Sequence, residues 1–403
     1  MEFIRKNFIV REKYIEKIQP FIGKEIIKVF VGQRRVGKSY LLFQIIDKIL
    51  ENDPKANIIY INKELEEYTE VRNWKDMLSY VKKQSNSNKN YVFIDEIQDI
   101  NEFERGLRDL QARGNYDIYC TGSNANLLSG ELATYLSGRY IEIKIYSLSY
   151  SEFLKFHKLE NTKNSFDIFI KYGGLPYLRN IDLTDDIVFE YTKGIYHTIL
   201  YKDIINRYQI RNTNLLENLI KYLADNTGSI VSATRISKYL KSQAIQVTPK
   251  VIISYLEYLR NAFFVFRVQR ADIHGKKIFE SGEKYYFEDL GLRHTVLKYE
   301  PKDIHKILEN LVYQHLLYSG FNVFIGHEKG KEIHFVADKQ NSKIYVQVAY
   351  LLHEENTLNR ELNNLLNIKN NHPKYIVTLD EYQTGTKEGV NIIHAIDFLD
   401  LQF

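Results

Sequence analysis

An α/β fold with a parallel sheet covered by helices is what this sequence predicts for its first third, and three observations carry that expectation. Apolar strand-like runs alternate with amphipathic helical stretches. A glycine-bounded loop joins the first such strand to the first such helix, and a later apolar run ends in two adjacent acids. In order, "EIIKVFVG" reads as a short buried strand ending in glycine, and "SYLLFQIIDKIL" as the helix that follows it. "ANIIYINKE", "NYVFIDEI" and "YDIYCTGS" are the next strands, with "QSNSNKN" a polar loop leading into the second of these. Strands separated by helices pair in parallel, because each return to the same sheet edge needs a crossover.

The pattern changes after residue 145. Residues 146–212 read as a helical lid or linker, with "SYSEFLKFH" and "DDIVFEYTKGIYHTILYKDII" separated by the turn "YGGLPYL". Residues 213–300 give three helices, "NTNLLENLIKYLADNTGS", "SATRISKYLKSQ" and "TPKVIISYLEYLRN", and then the strand "AFFVFRVQR". With "KKIFESGEKYYFED" as its return strand, this segment predicts a winged-helix-like region. Residues 301–403 open on a helix around "ENLVYQHLLYSG". They continue with strands "NVFIGH", "KEIHFVAD" and "KIYVQVAY", a helix near "NRELNNLLNI" and the strand "KYIVTL", a small α/β domain.

At 403 residues, 44% hydrophobic and 26% charged, the chain has ordinary globular composition and length for several cores. No apolar run approaches the roughly 20 residues that cross a bilayer. The charged start "MEFIRKNFIVREKYIEKI" lacks the apolar core of a secretory signal. The single cysteine, Cys120, excludes an internal disulfide and a multi-cysteine zinc site. A cytoplasmic chain without membrane contact is the expectation. The net charge of +4 permits nucleic-acid contact without demanding it.

Gly32, Gln33, Arg34, Arg35, Val36, Gly37, Lys38 and Ser39 match G-x-x-x-x-G-K-[ST] in full, between a strand and a helix as that loop requires. The glycines let the backbone curl so that its amides point at phosphate oxygens, and the helix N-terminus adds its positive end. Lys38 supplies a mobile charge for the β- and γ-phosphates, Ser39 a hydroxyl for Mg2+, and Tyr40 completes the expected nucleotide-binding stretch. In "YVFIDEI", Asp95 would hold Mg2+, directly or through water, and Glu96 would polarise the attacking water. Ser123 and Asn124, after the strand "YDIYCTG", either sit beside the γ-phosphate or cap the next helix. Arg139, in a Ser-Gly-Arg-Tyr turn, is a candidate arginine finger in its own subunit or a neighbour's, or else a surface arginine. The loop does not encode adenine selectivity, and Arg11 with Tyr14 is the segment that offers a base contact. These residues predict a P-loop NTPase sheet with ATP and Mg2+ as its ligands.

Together with "CTGSNANLLSGELATYLSGRYIEIKIYSLSYSEFL", "YGGLPYL", "FEDLGLRH" and "ENLVYQHLLYSGFNV", these motifs resemble a prokaryotic family of AAA-type P-loop ATPases. In that family, which has archaeal-type ATPase relatives, the P-loop domain is joined to a carboxyl-terminal domain of unknown function (DUF4143-like). The resemblance follows the family's order through nearly the whole chain. It implies ATP binding, slow or regulated hydrolysis, a winged-helix segment and a nuclease-like tail.

The tail looks like the core of a restriction-endonuclease-like domain, whose chemistry needs a helix glutamate, a strand aspartate and a Glu-x-Lys pair. Glu309 fits the first position, but His334 stands at the second, and Gln347 and Ala349 at the third. An amide and a methyl are poor partners for a hard cation, so the expectation is a degenerate domain without nuclease activity. Between Arg235 and Lys277 nine basic residues face only two acids, Glu257 and Asp272. That allows weak non-specific DNA contact, sequence-specific contact or plain protein packing. The helix "TPKVIISYLEYLRN" is expected to bury Val251, Ile252, Tyr255, Leu256 and Leu259, leaving few groups that read base edges. The leading functional expectation is an ATP-driven conformational switch acting on an unidentified protein partner. The alternatives are an ATP-licensed DNA-binding protein and a nucleotide-binding scaffold that never turns over.

Overall fold

The computed structural model describes residues 8–128, 136, 138–273, 282–328, 330–340, 342–352 and 355–403. The chain divides into two compact units. One is Met1–Tyr146 with Asn261–Phe263, and the other is Ser147–Arg260 with Phe264–Phe403.

In the first unit, helix α1 (Glu12–Ile18) precedes strand β1 (Ile27–Val31), whose five residues are all buried. Helix α2 (Lys38–Asn52), strand β2 (Asn57–Asn62), helix α3 (Trp74–Gln84) and strand β3 (Asn90–Asp95) follow. The Asn73 side chain starts α3 by accepting from the Lys75 and Asp76 amides, while Asp76 returns a bond to the Asn73 amide. Helix α4 (Phe103–Ala112), strand β4 (Tyr116–Gly122) and strand β5 (Tyr140–Lys144) complete the unit. The five strands pair in parallel in the order β2-β3-β4-β1-β5. The first four are those the sequence predicts. Strand β5 is an addition at the sheet edge, where only Ile143 is buried, so its apolar signal is faint. Val31 pairs with Gly122 and Lys144, and Ile94 with Cys120. The loops leaving β1, β3 and β4 therefore start from one edge of the sheet. Residues 129–135 and 137, most of the stretch between Asn124 and Arg139, lie outside the described residues.

The second unit begins with helices α5 (Tyr150–His157), α6 (Lys163–Tyr172) and α7 (Asp185–Thr198). The sequence predicts one helix across residues 185–205, but from Ile199 to Asn206 it winds as a π-helix. The buried residues explain the widening: Ile199 with Ile204, and Leu200 with Ile205, are five apart. Helices α8 (Thr213–Asp225), α9 (Ala233–Ser242) and α10 (Pro249–Asn261) then lead to strands β6 (Val265–Val268) and β7 (Arg270–Asp272). Strand β8 (Lys284–Phe287) pairs antiparallel with β6. Residues 276–281 of the predicted return strand, with Lys276 and Lys277, lie outside the described residues.

Helix α11 (Leu290–Val296) and helix α12 (Ile304–Tyr318) precede the tail sheet. That sheet takes strands β9 (Asn322–Glu328), β10 (Lys331–Lys339) and β11 (Ser342–Ala349), then helix α13 (Glu355–Leu366) and strand β12 (Lys374–Thr378). Strands β13 (Gly385–Lys387) and β14 (Val390–His394) and helix α14 (Ala395–Asp400) end the chain. The strand order is β13-β14-β12-β11-β10-β9-β7, a mixed sheet.

The segments "YGGLPYL" and "FEDLGLRH" meet in the interior of this unit. Asp289 accepts from the Gly174 amide (2.8 Å) and from the Leu292 amide (3.0 Å). Gly173 has φ 79°, and a methyl there would lie 2.5 Å from Asp289 Oδ1, so only glycine fits. Glu288 accepts from the Ser147 amide and hydroxyl, and fully buried Arg293 donates to Asp303 (2.9 Å) and to the Ala224 carbonyl. These motifs build a core.

Candidate nucleotide site

Each functional side chain stands at the carboxyl edge of the parallel sheet, where ligands of open α/β sheets bind. The loop after β1 turns at Arg35 (φ 72°) and Gly37 (φ 97°) before α2 begins at Lys38. Gly32 packs so closely that a methyl would lie 2.2 Å from the Ile145 carbonyl oxygen. Helix α2 has no side-chain cap, which leaves its first-turn amides to an anion. Lys38 is buried, and its ammonium donates to the loop's own Gly32 and Gln33 carbonyls (3.1 and 3.0 Å). It lies 3.7 Å from Glu96 Oε1.

Asp95 is buried at the end of β3, accepting from the Thr121 hydroxyl and from Tyr60 OH (3.3 Å), with the Ser39 hydroxyl nearby. Burial pushes its carboxyl above the usual range, against the two hydroxyls that favour its charge. Glu96 turns the chain in the left-handed region (φ 54°), and its amide donates to Thr121 Oγ1 (2.9 Å). Its carboxylate accepts from Gln98. Burial opposes the charge of Glu96, but the Lys38 ammonium and the Arg34 guanidinium outweigh it and hold the carboxyl below the usual range. A hydroxyl and a carboxylate, both hard oxygen donors on one edge of the sheet, fit Mg2+. A lysine beside an uncapped helix start fits a polyphosphate.

The structure thus brings together Lys38, Ser39, Asp95, Glu96 and Ser123. Ser123 is buried and accepts from Gln98 Nε2 (3.4 Å), which also donates to the Glu96 carboxylate. Asn124 instead starts the short 3-10 turn, its carbonyl accepting from the Leu127 amide (3.1 Å). Gln33 and Val36 are fully buried loop anchors, Gln33 donating to the Phe263 carbonyl (3.1 Å). Arg35 and Tyr40 are exposed, with Tyr40 edge-on to Phe8 and Phe43.

Two expectations need correcting. The Ile27 amide donates to the Arg139 carbonyl, and Ile27 pairs with Tyr140, so Arg139 sits at the amino end of β1. Five strand residues, roughly 16 Å, separate it from the loop, beyond the reach of a cis arginine finger. Arg11 is buried and donates to the Val36 and Tyr146 carbonyls (3.0 and 2.9 Å), while the Tyr14 hydroxyl accepts from the Tyr146 amide. Both hold the chain's own backbone. Glu64 and Gln98 were missed. Glu64 gives no sequence signal, whereas Gln98 follows the acidic pair by two residues.

Comparison with known proteins places this geometry. A AAA domain model matches residues 24–154, and a domain of unknown function (DUF8612) matches residues 163–303. An uncharacterized protein of Haemophilus influenzae is 37% identical over 402 residues, 98% of this chain and 99% of that one. The chain belongs to the AAA-type P-loop ATPase family, with a domain of unknown function behind the ATPase domain. An uncharacterized protein of Methanocaldococcus jannaschii is 34% identical over 350 residues, 82% of this chain and 76% of that one. A Walker-type ATPase of Pyrococcus abyssi shares the fold (TM-score 0.50, 17% identity, 72% of this chain and 97% of that one).

In this family member the tail's acids serve another end. Lys284 of β8 places its buried ammonium 2.8 Å from both Glu309 and Glu332, and Tyr286 OH donates to Glu309 (2.7 Å). Burial opposes the lysine's charge, and the two carboxylates overcome that, holding it above the usual range. Gln347 accepts from the His334 amide and donates to Glu361, and His334 Nδ1 accepts from the Val348 amide. An ammonium bridges two carboxylates as a divalent cation would. Among the described residues, no group of three or more His, Cys, Asp or Glu is placed to hold a metal.

Within residues 213–300, Arg260 pairs with Glu257, Arg267 lies 3.7 Å from Glu283, and Arg235 donates to the Ile230 carbonyl. These contacts blunt the basic field. Val251, expected in the buried face of α10, is 37% exposed, as is its neighbour Ile253 at 59%. Residues 252, 255, 256 and 259 fill the core instead. Among the described residues, no helix is long and apolar enough to cross a membrane.

Proposed function

We propose that the chain binds ATP with Mg2+ and hydrolyses it to ADP and phosphate as a conformational switch. The observation that carries the reading is the convergence of Ser39 and Asp95, side by side at the carboxyl edge of the sheet, with Lys38 and Glu96, 3.7 Å apart. The α2 amides take the phosphates, and Lys38 leaves the Gly32 and Gln33 carbonyls for the β- and γ-phosphate oxygens. Ser39 and Asp95 hold the Mg2+, which when bound neutralises charge on the β- and γ-phosphates. Glu96, kept ionised by Lys38 and Arg34, orients the attacking water, with Gln98, bonded in turn to Ser123, fixing its carboxylate. Loss of the γ-phosphate leaves Lys38 only the β-phosphate, and release of ADP returns it to the loop carbonyls, giving the loop discrete arrangements.

Lys38→Ala is expected to abolish ATP binding in calorimetry. Glu96→Gln is expected to keep ATP bound while phosphate release stops. Unchanged turnover in Glu96→Gln removes the assigned role of that carboxylate. No heat with any purine triphosphate and Mg2+ in the parent removes the whole reading.

A further inference from the structure

We propose that Arg34 is a catalytic arginine supplied by the chain's own P-loop, held by Glu64 until a γ-phosphate displaces that carboxylate. This rests on the ATPase reading above.

Phosphoryl transfer builds charge on the transferred oxygens, and a guanidinium from the same or a neighbouring subunit commonly neutralises it. The arginines of the phosphate loop, and those the sequence offered as nucleotide contacts, sort by position. Arg139 lies at the far end of the sheet, Arg11 is spent on the Val36 and Tyr146 carbonyls, and Arg35 is exposed. Arg34 remains. It sits inside the phosphate loop, four residues before Lys38, and is only 8% exposed. Its charge also acts on Glu96, so Arg34 and Lys38 flank the carboxylate that orients water.

The ion pair of Arg34 with Glu64 is a hold that a ligand can release. Arg34 Nη1 donates to Glu64 Oε1 at 2.9 Å, but the Glu64 side chain is 48% exposed. Glu64 belongs to the loop leaving β2, where its amide donates to Asn62 Oδ1 (2.9 Å), on the same edge as the phosphate loop. A half-solvated carboxylate holds an arginine weakly. A phosphate group carries more charge and accepts two parallel N–H bonds from the planar fork. The guanidinium therefore exchanges Glu64 for the γ-phosphate when ATP fills the loop. Lysine, a point charge on a flexible stem, cannot reproduce that fork.

The test compares the full chain with Arg34→Ala, Arg34→Lys and Glu64→Gln, measuring ATP binding by calorimetry and phosphate release at steady state. Both Arg34 variants are expected to bind ATP within about tenfold of the parent. Their turnover should fall by about a thousandfold or more. They should also fail to trap the ADP–aluminium fluoride complex that the parent traps with Mg2+. Glu64→Gln, which removes this ion pair, should turn over at least as fast as the parent, and this decides the matter even if an Arg34 variant misfolds. Parental turnover per chain should not change with protein concentration. Near-parental turnover in Arg34→Lys, lost turnover in Glu64→Gln, or a rate per chain that climbs with concentration overturns Arg34 in this role and leaves the ATPase reading standing. A parent that binds ATP and releases no phosphate removes both.

Discussion

Lys284 shows how far one residue's neighbours can depart from what its sequence surroundings announce. In "GEKYYFED" it is an ordinary strand lysine; in the structure it is buried between the carboxylates of Glu309 and Glu332. Deleting one partner of such a cluster leaves charge uncompensated in the interior. Lys284→Ala is therefore expected to lose about 3 kcal/mol of stability, toward the low end because Glu332 keeps some solvent. Chemical denaturation at pH 7 measures it, and the deficit should shrink with acid as Glu309, whose charge burial opposes but Lys284 holds below the usual range, takes up a proton. At this scale, the convergence of Lys38, Ser39, Asp95 and Glu96 was legible because the loop motif and the acid pair each follow a strand of one parallel sheet. Glu64, Gln98 and Lys284 act through partners that only tertiary folding supplies. Arg139 misled because a glycine-flanked arginine reads alike at either end of a strand.

Among elements, α11 and the glycine pair before Pro176 concentrate the second unit's buried polar groups, and His294 makes that concentration sensitive to acid. Arg293 Nη1 lies 3.2 Å from His294 Nδ1, and His294 Nε2 lies 3.1 Å from the Ile170 carbonyl, a neutral ring donating through Nε2. Burial, then the adjacent Arg293 charge, push its pKa down to about 3. The unfolded chain takes up a proton near pH 6.5 and the folded chain does not, so stability from this group is complete above pH 6.5 and is lost as pH falls toward 3. Each pH unit in that window removes up to about 1.4 kcal/mol. Melting temperatures between pH 7.5 and 5 should fall more gently for His294→Gln than for the parent; parallel slopes would refute the assignment. The helix holding Asp203 carries a similar lesson: apolar spacing announced a helix there but not its π winding, since i, i+4 and i, i+5 patterns overlap over so short a run.

The sheet of the ATPase unit was readable as a whole because its strands are buried on both faces and arrive as unbroken apolar runs. Its order was not: nothing in the runs says that β4 inserts between β1 and β3. The mixed tail sheet was recognisable by its strands, whereas β7, three residues long, and β13, fully exposed, leave almost no signal. Least visible was the return of Asn261–Phe263 to the ATPase unit, from segments that otherwise belong elsewhere.

That return bears on any attempt to isolate the motor. A chain ending at Tyr146 carries every motif of the nucleotide site yet loses the Phe263 oxygen that accepts the Gln33 amide. It would leave a second orphan beside Gln33 Oε1, which already has no hydrogen-bond partner. Such a fragment should melt at lower temperature and bind nucleotide more weakly than the intact polypeptide. A peptide spanning residues 259–266, added in excess, would be the simplest attempt at repair.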